Sequence, residues 1–264
     1  MTQTLIIEIK DNIATVTLNR PAKKNAMSFK MMAELVDTAK TLATTNGLRA
    51  VILTGADHCF CSGIDLENLM SMAPQIDQIR TEILTPPKGE LANKFQAPAT
   101  IWASLDVPVI AALEGVIFGA GAQLALGADF RIAAPNIKFS IMEAKWGLIP
   151  DMGISQSLPK LMRADAALEL IMTGRILEAD EALRLGLLTR ITDDPLSAAT
   201  TFAENLAQKS PDAIKASKQL VNGTWGCGTA GLKLEAELQA AIIGGPNQME
   251  MIMAAMAKRD PKFS

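Results

Sequence analysis

Histidine is almost missing from this chain: His58 is the single one among 264 residues. A Ser-His-Asp or Cys-His triad would have to run through it. No G-x-S-x-G elbow exists either, because Gly153-Ile154-Ser155-Gln156-Ser157 fails at its last position. Cysteine is scarce, three in all with two in Cys59-Phe60-Cys61. That is no disulfide framework and reads as reduced thiols in a cytoplasmic protein. His58, Cys59 and Cys61 crowd one short segment and offer too few ligands for zinc, so no metal site is expected. If the chain is an enzyme, carboxylates, a lysine or backbone groups must move its protons.

Other absences narrow the class further. No apolar run approaches membrane-spanning length; the longest candidate, 107–113, is far too short. Met1-Thr2-Gln3-Thr4 lacks a basic n-region, so no signal peptide and a cytoplasmic location are expected. Lys and Arg number 25 against 28 Asp and Glu, a net charge of −3, which leaves no basic footprint for nucleic acid. Low-complexity tracts are absent, and 49% apolar residues supply a core. The length fits one large domain or a domain with an appendage.

What the sequence does contain is an α/β pattern. Residues 5–9 and 13–18 alternate around Asp11-Asn12 as a β-hairpin. Ser28 caps a helix whose apolar positions run from Met31 to Leu42. Residues 49–54 and 108–113 read as buried strands, and 128–133 as another. Residues 115–121 form a glycine-rich turn into a helix over 122–126. Residues 70–94 read as an irregular excursion carrying a short helix, and 95–105 as a helix. Beyond Ser155 the pattern is nearly all helical, with a short strand at 188–191. This gives an α/β core over 1–195 and a helical C-terminal region over 196–264.

Three segments carry candidate chemistry. In Cys61-Ser62-Gly63-Ile64-Asp65-Leu66 a glycine lets the backbone turn sharply and frees the following N–H. In Gly115-Val116-Ile117-Phe118-Gly119-Ala120-Gly121-Ala122-Gln123 a strand turns into a helix, whose first N–H groups are unpaired. The third, 142–153, places Glu143 and Asp151 around a Pro/Gly turn. Taken singly, each is a common turn or a pair of surface charges; their combination and order are specific.

In that order the chain resembles the enoyl-CoA hydratase/isomerase (crotonase) family. Leu18-Asn19-Arg20-Pro21-Ala22-Lys23-Lys24-Asn25-Ala26-Met27 is similar to its early signature. The Gly63 and Gly119 segments are similar to its two oxyanion segments, and the likeness continues through Gly147-Leu148-Ile149-Pro150 and Thr173-Gly174-Arg175. The resemblance implies a spiral of β-β-α turns with a helical C-terminal trimerisation region, forming a homotrimer or dimer of trimers. It implies an acyl-CoA thioester as substrate and no cofactor beyond coenzyme A within it. Carried over, the oxyanion donors are the N–H groups of Ile64 and Ala120, with Ala120 replacing a glycine common there. Ser62, Gly63, Asp65 and Gly119 would line the substrate. Lys23 and Lys24 would meet the nucleotide phosphates, and Lys258 and Phe263 at the chain end would reach a neighbouring subunit's nucleotide; solvated tail charges are the alternative.

Hydratases of the family hold water between two glutamates. Glu143 matches the second, but the first falls at Gln123, and an amide is no general base. Asp151, where hydratases commonly have glycine, looks like the dienoyl-CoA isomerases, although those carry an acid where this chain has Gln123. The expectation is isomerisation of an unsaturated acyl-CoA by Glu143 and Asp151. Hydration or dehydration is the alternative, and a low-activity acyl-CoA binder or an RNA-binding member the more distant ones. Residues 70–105 are expected to wall the acyl pocket through Met70, Met72 and Trp102, unless these are core.

Overall fold

A computed structural model describes residues 3–224 and 230–259. Phe263 therefore lies outside the described residues. The chain opens with β1 (Leu5–Lys10) and β2 (Ile13–Leu18), joined by Asp11 and Asn12 at φ 50° and 65°, the turn that right-twisted hairpins favour. Helix α1 (Phe29–Ala43) starts where Ser28 Oγ accepts the Met31 N–H at 3.2 Å, and it buries Met31, Met32, Leu35, Ala39 and Leu42. Then follow β3 (Ala50–Gly55), α2 (Leu66–Ser71) and α3 (Ile76–Leu84).

The helix expected over 95–105 is shorter. Only α4 (Ala97–Thr100) is α-helical, continued by a 3-10 turn over Ile101–Ser104. Pro98 has no N–H to donate, so it fits only the first turn, and Pro108 forces the chain ahead of it out of helix. The order continues with β4 (Val109–Leu113), β5 (Val116–Phe118), α5 (Ala120–Leu126), β6 (Phe130–Ala133) and β7 (Lys138–Ser140). After a 3-10 turn at Glu143–Trp146 come α6 (Ile154–Leu161), α7 (Ala164–Thr173), β8 (Leu177–Glu178), α8 (Ala179–Arg184) and β9 (Arg190–Ile191). Four helices end the described chain: α9 (Pro195–Ala207), α10 (Pro211–Thr224), α11 (Ala230–Ile242) and α12 (Pro246–Ala257). Among the described residues no helix is long and apolar enough to cross a membrane.

Two sheets run side by side. The larger has the order β1-β2-β3-β4-β6-β9, parallel apart from the first hairpin; the smaller is β5-β7-β8. Each turn of the chain lays one strand on the large sheet and a shorter one on the small sheet. β4 leads to β5 and β6 to β7. After β3, Cys61 makes an isolated bridge to Ile117 of β5. This is the spiral that the resemblance implied. Strands β3 and β4 are buried on both faces: Val51, Leu53, Val109 and Ala111 face the main core. Ile52, Ile110, Ala112 and Ile132 face α9, against which Phe130 and Phe202 meet edge to face at 4.9 Å.

Helix α10 is tied to the core through charge. Lys218 Nζ lies 2.7 Å from Asp129 and donates to the Val107 and Trp102 carbonyls at 2.9 and 3.2 Å. Burial pushes the Lys218 pKa down and that of Asp129 up, so both ions depend on this contact. Lys218→Met should leave the Asp129 carboxylate buried and unpaired, costing about 3–5 kcal/mol in urea unfolding. Adding Asp129→Asn should recover much of that loss. A Lys218→Met variant as stable as wild type would show that the pair is a surface contact.

Candidate active site

The site begins with the small sheet. Cys61 N–H donates to Val116 O at 3.0 Å and Cys61 O accepts from Phe118 N–H at 3.0 Å. One turn further on, Ile117 pairs with Phe139. These pairings stack the segments after Cys61, after β5 and after β7 on one side of the spiral. A cavity of about 400 Å³ lies where they meet.

The first wall is 62–65. Gly63 has φ 104°, and a Cβ there would meet Phe118 O at 3.2 Å, so both conformation and space call for glycine. Met27 donates to Gly63 O at 2.7 Å and accepts from Asp65 N–H at 2.9 Å. In such a parallel bridge the intervening residue's N–H points the other way, so Ile64 N–H is left outside the ladder. The second wall starts at Gly119, whose N–H donates to Ser140 O at 3.0 Å. Ala120 begins α5, its N–H among those a helix leaves without an internal partner. The positive φ falls on Gly119, not on Ala120, so alanine fits without strain. A Cβ on Gly121 would come within 2.6 Å of Cys61 Cβ; here only glycine lets the two segments touch. The Cys61 thiol is pushed up to about 12 by burial and stays protonated.

The polar end is a clamp centred on Gln123, which is 2% exposed. Its Nε2 donates to Glu143 Oε1 at 2.7 Å, and its Oε1 accepts the Met152 N–H at 2.8 Å. The Met152 bond fixes which end of the amide faces Glu143. Glu143 Oε2 is buried with no hydrogen-bond partner. Burial raises the Glu143 pKa to about 7, with its own backbone N–H and Gln123 pulling the other way. A carboxyl near 7 with one free oxygen can give or take a proton close to neutrality.

Other carboxyls on the cavity wall are Asp65, Glu67 and Asp151. Asp65 caps α2 by accepting the Glu67 N–H at 3.0 Å, and Arg20 Nη2 reaches it at 2.6 Å. Burial pushes this carboxyl up, but the Arg20 bond, the Glu67 N–H and the nearby cations outweigh it and hold it below the usual range. Glu67 is paired with Lys23 at 2.7 Å. Arg20 has no role in the sequence-level reading, although it stands in the quoted Asn19-Arg20-Pro21 signature.

All but three of the expected site residues line this one cavity. Glu143, Asp151, Gln123, Ile64 and Ala120 do, together with Ser62, Gly63, Asp65, Gly119 and Lys23. The Lys24 side chain is exposed and off the wall, its carbonyl accepting from Ser62 N–H at 3.0 Å. Lys258 is exposed at the end of α12 and lines neither this cavity nor the larger one beside it. Phe263 is outside the described residues. Of the expected acyl wall, Met72 is in place, joined by Ile83 and Phe95. Met70 is instead half exposed and off the wall. Trp102 is a fully buried core residue with Nε1 bonded to Pro98 O at 2.9 Å. Gln239 of α11 and Ile243 just after it also line the cavity, which the sequence reading does not anticipate. The available signal was a glutamine inside the apolar stripe Leu232, Ala236, Ala240, Ile243. His58 is elsewhere, exposed and 3.0 Å from Glu114.

Residues 8–264 match a family profile described as "Enoyl-CoA hydratase/isomerase". A protein of Mycobacterium leprae named "Probable enoyl-CoA hydratase" is 33% identical over 264 residues, spanning 99% of this chain and 98% of that protein. The mouse mitochondrial Delta(3,5)-Delta(2,4)-dienoyl-CoA isomerase is 32% identical over 262 residues, 97% of this chain and 80% of that one. The crystal structure of an enoyl-CoA hydratase/isomerase from Pseudoalteromonas atlantica superposes with a TM-score of 0.82 at 26% identity, covering 99% of this chain and 100% of that one.

The raised Glu143 pKa has a consequence for stability. From pH 4.5 to about 7 the folded protein keeps a proton on Glu143 that the unfolded chain releases, so stability falls as pH rises through that window. The loss is complete above the folded value and is on the order of 3 kcal/mol. Urea unfolding of wild type and Glu143→Gln at several pH values should show wild type losing this much relative to the variant. Parallel pH profiles would contradict a buried carboxyl.

Proposed function

Because the chain belongs to the enoyl-CoA hydratase/isomerase family, we propose that it isomerises an unsaturated acyl-CoA by proton transfer between Glu143 and Asp151. The carrying observation is that Gln123 is occupied at both ends of its amide, by Glu143 and by the Met152 N–H. A residue so engaged, and without an ionisable proton, is poorly placed to activate water. Asp65 and Glu67 are paired with Arg20 and Lys23; Glu143, whose Oε2 is buried without a hydrogen-bond partner, and Asp151 are the other two carboxyls that line the wall among the described residues.

In this reading the thioester carbonyl lies between the Ile64 and Ala120 N–H groups. Removing the α-type proton puts charge on the carbonyl oxygen, and two fixed donors stabilise it; the loss of one such donor typically costs about 3 kcal/mol. Glu143 Oε2 takes the proton, and Asp151 returns one at another carbon. Lys23 would exchange Glu67 for a phosphate of coenzyme A, with Lys24 and Lys258 as further cations and Phe263 against the nucleotide. Hydration is the second reading. It is favoured by the hydratase names among the relatives and by Glu143, the glutamate that both chemistries use.

Assembly into a trimer or a dimer of trimers belongs to the same proposal, as does a cytoplasmic setting. Leu168, Met172 and Ile176 are exposed together around α7, and Met253 and Met256 on α12, apolar surface that an assembly would cover. Light scattering at micromolar concentration should give three or six subunits; a monomer would defeat this part.

Incubation with enoyl- and dienoyl-CoA thioesters in heavy water, read by mass spectrometry, separates the chemistries. Isomerisation leaves mass unchanged apart from deuterium exchange, whereas hydration adds the mass of water. Glu143→Gln should lower kcat by roughly 10²–10⁴ and abolish the limb of the kcat/KM profile that rises through about pH 7. Asp151→Asn should suppress isomerisation. Efficient hydration of a simple trans-enoyl-CoA, with isomerisation intact in Asp151→Asn, would decide for the second reading.

A further inference from the structure

Helix α11 and the turn that ends it give the cavity two residues, Gln239 and Ile243. Ile243 continues an apolar lining made by Leu69, Met72, Ile83 and Phe95. Gln239 interrupts it. The residue is 3% exposed, and its Oε1 is buried without a hydrogen-bond partner. Six carboxamides are buried among the described residues: Asn25, Asn93, Gln96, Gln123, Gln239 and Gln248. The other five have hydrogen-bonded side chains: Asn25 to Cys59 O, Asn93 to Ile83 O, Gln96 to Leu232 O, Gln123 to Glu143 and Gln248 to Gly244 N–H. An amide oxygen taken from water and left unmet loses its full hydration, whereas leucine at the same helical position would cost nothing of the kind. An orphan of this sort, on a residue that lines a cavity, is satisfied when the side chain turns toward a polar ligand group held there.

We infer that Gln239 is a specificity-determining residue that receives a hydroxyl on the acyl group, so that the preferred thioester carries a hydroxylated chain rather than a plain hydrocarbon one. This rests on the reading of the cavity as the thioester site. A hydroxyl fits because it both donates and accepts, and so meets the carboxamide whichever way its end is turned. With Oε1 as the unmet atom, a ketone or carboxylate, which only accepts, would leave it so. A carboxylate would also need a cation, and Lys23, the one lysine of this wall among the described residues, is taken by the coenzyme A phosphate in the proposed reading.

Binding of unreactive ligands tests this without depending on turnover. Saturated acyl-CoA thioesters of equal length are compared by calorimetry, one plain and the others hydroxylated at successive carbons beyond the β position. Wild type should bind one hydroxylated isomer roughly ten- to a hundredfold tighter than the plain chain, the scale set by meeting one buried acceptor that is otherwise left unsatisfied. In Gln239→Leu that ratio should fall to one or below. Gln239→Met, checked for native circular dichroism, serves if the leucine variant does not fold. Equal affinities in wild type at every position would overturn the inference, as would a preference that survives either variant. Failure to turn over any unsaturated thioester, with the hydroxyl preference intact, would overturn the isomerisation reading and leave Gln239 in its role.

Discussion

The site depends on the register of the small sheet. Cys61 bridges Ile117, and Ile117 pairs with Phe139. Counting three residues forward from each of the first two gives Ile64 (61 to 64) and Ala120 (117 to 120); four forward from Phe139 gives Glu143. The two candidate N–H donors and the carboxyl thus sit at matching heights on successive turns of one spiral. Slipping one of these strands by a single residue would turn its side chains to the opposite face and dissolve the constellation. Two glycines hold the register close. Gly63 lies against Phe118 O and Gly121 against Cys61. The strands themselves are short, three residues in β5 and β7. Their placement is fixed by the long buried strands β3, β4 and β6 on which each turn begins.

Gln123 then sets the charge of the pocket. A carboxyl in its place would stand within hydrogen-bonding distance of Glu143, and the two would share one proton, their pKa values driven apart. The amide avoids this. It donates to one oxygen of Glu143 and leaves burial as the dominant influence on the other, which is why a single carboxyl titrates near 7. The same side chain holds Met152, the neighbour of Asp151, so the loop carrying the second carboxyl is positioned by the group that positions the first. Asp65 shows the contrast. It lies in the same wall, yet Arg20 keeps it ionised and occupied as a helix cap.

How much of this could be read from residues alone follows the physical range of each signal. The hairpin, α1, β3 and β4 carry periodicity or caps within a few residues of each other, and they form where expected. The Gly63 and Gly119 segments and Glu143 were legible through their order along the chain. β5, β7 and β8 were not, since two or three residues show no period and are held by their neighbours. For Trp102 acyl wall and core are equal readings, because size and hydrophobicity suit either; its full burial and the Pro98 carbonyl that its N–H reaches decide for the core. Gln239 was invisible for a related reason. Its helix is amphipathic, but which neighbour its stripe meets is a tertiary fact, here α3.

The division between spiral and helices has a chemical meaning. Every group proposed to move a proton or hold an oxyanion comes from backbone or side chains fixed by the spiral, on segments whose neighbours are hydrogen-bonded on both sides. The wall that includes Gln239 comes from a helix packed on the outside of that frame. A change on α11 alters apolar contacts and one amide without touching the register of the small sheet, whereas a change at Gly63 or Gly121 would shift both donors at once. In the proposed reading, chemistry and acyl selection are therefore separable in this chain. Its specificity is better sought in α11 and its partner α3 than in the Glu143–Gln123 clamp, whose hydrogen bonds leave little room for variation.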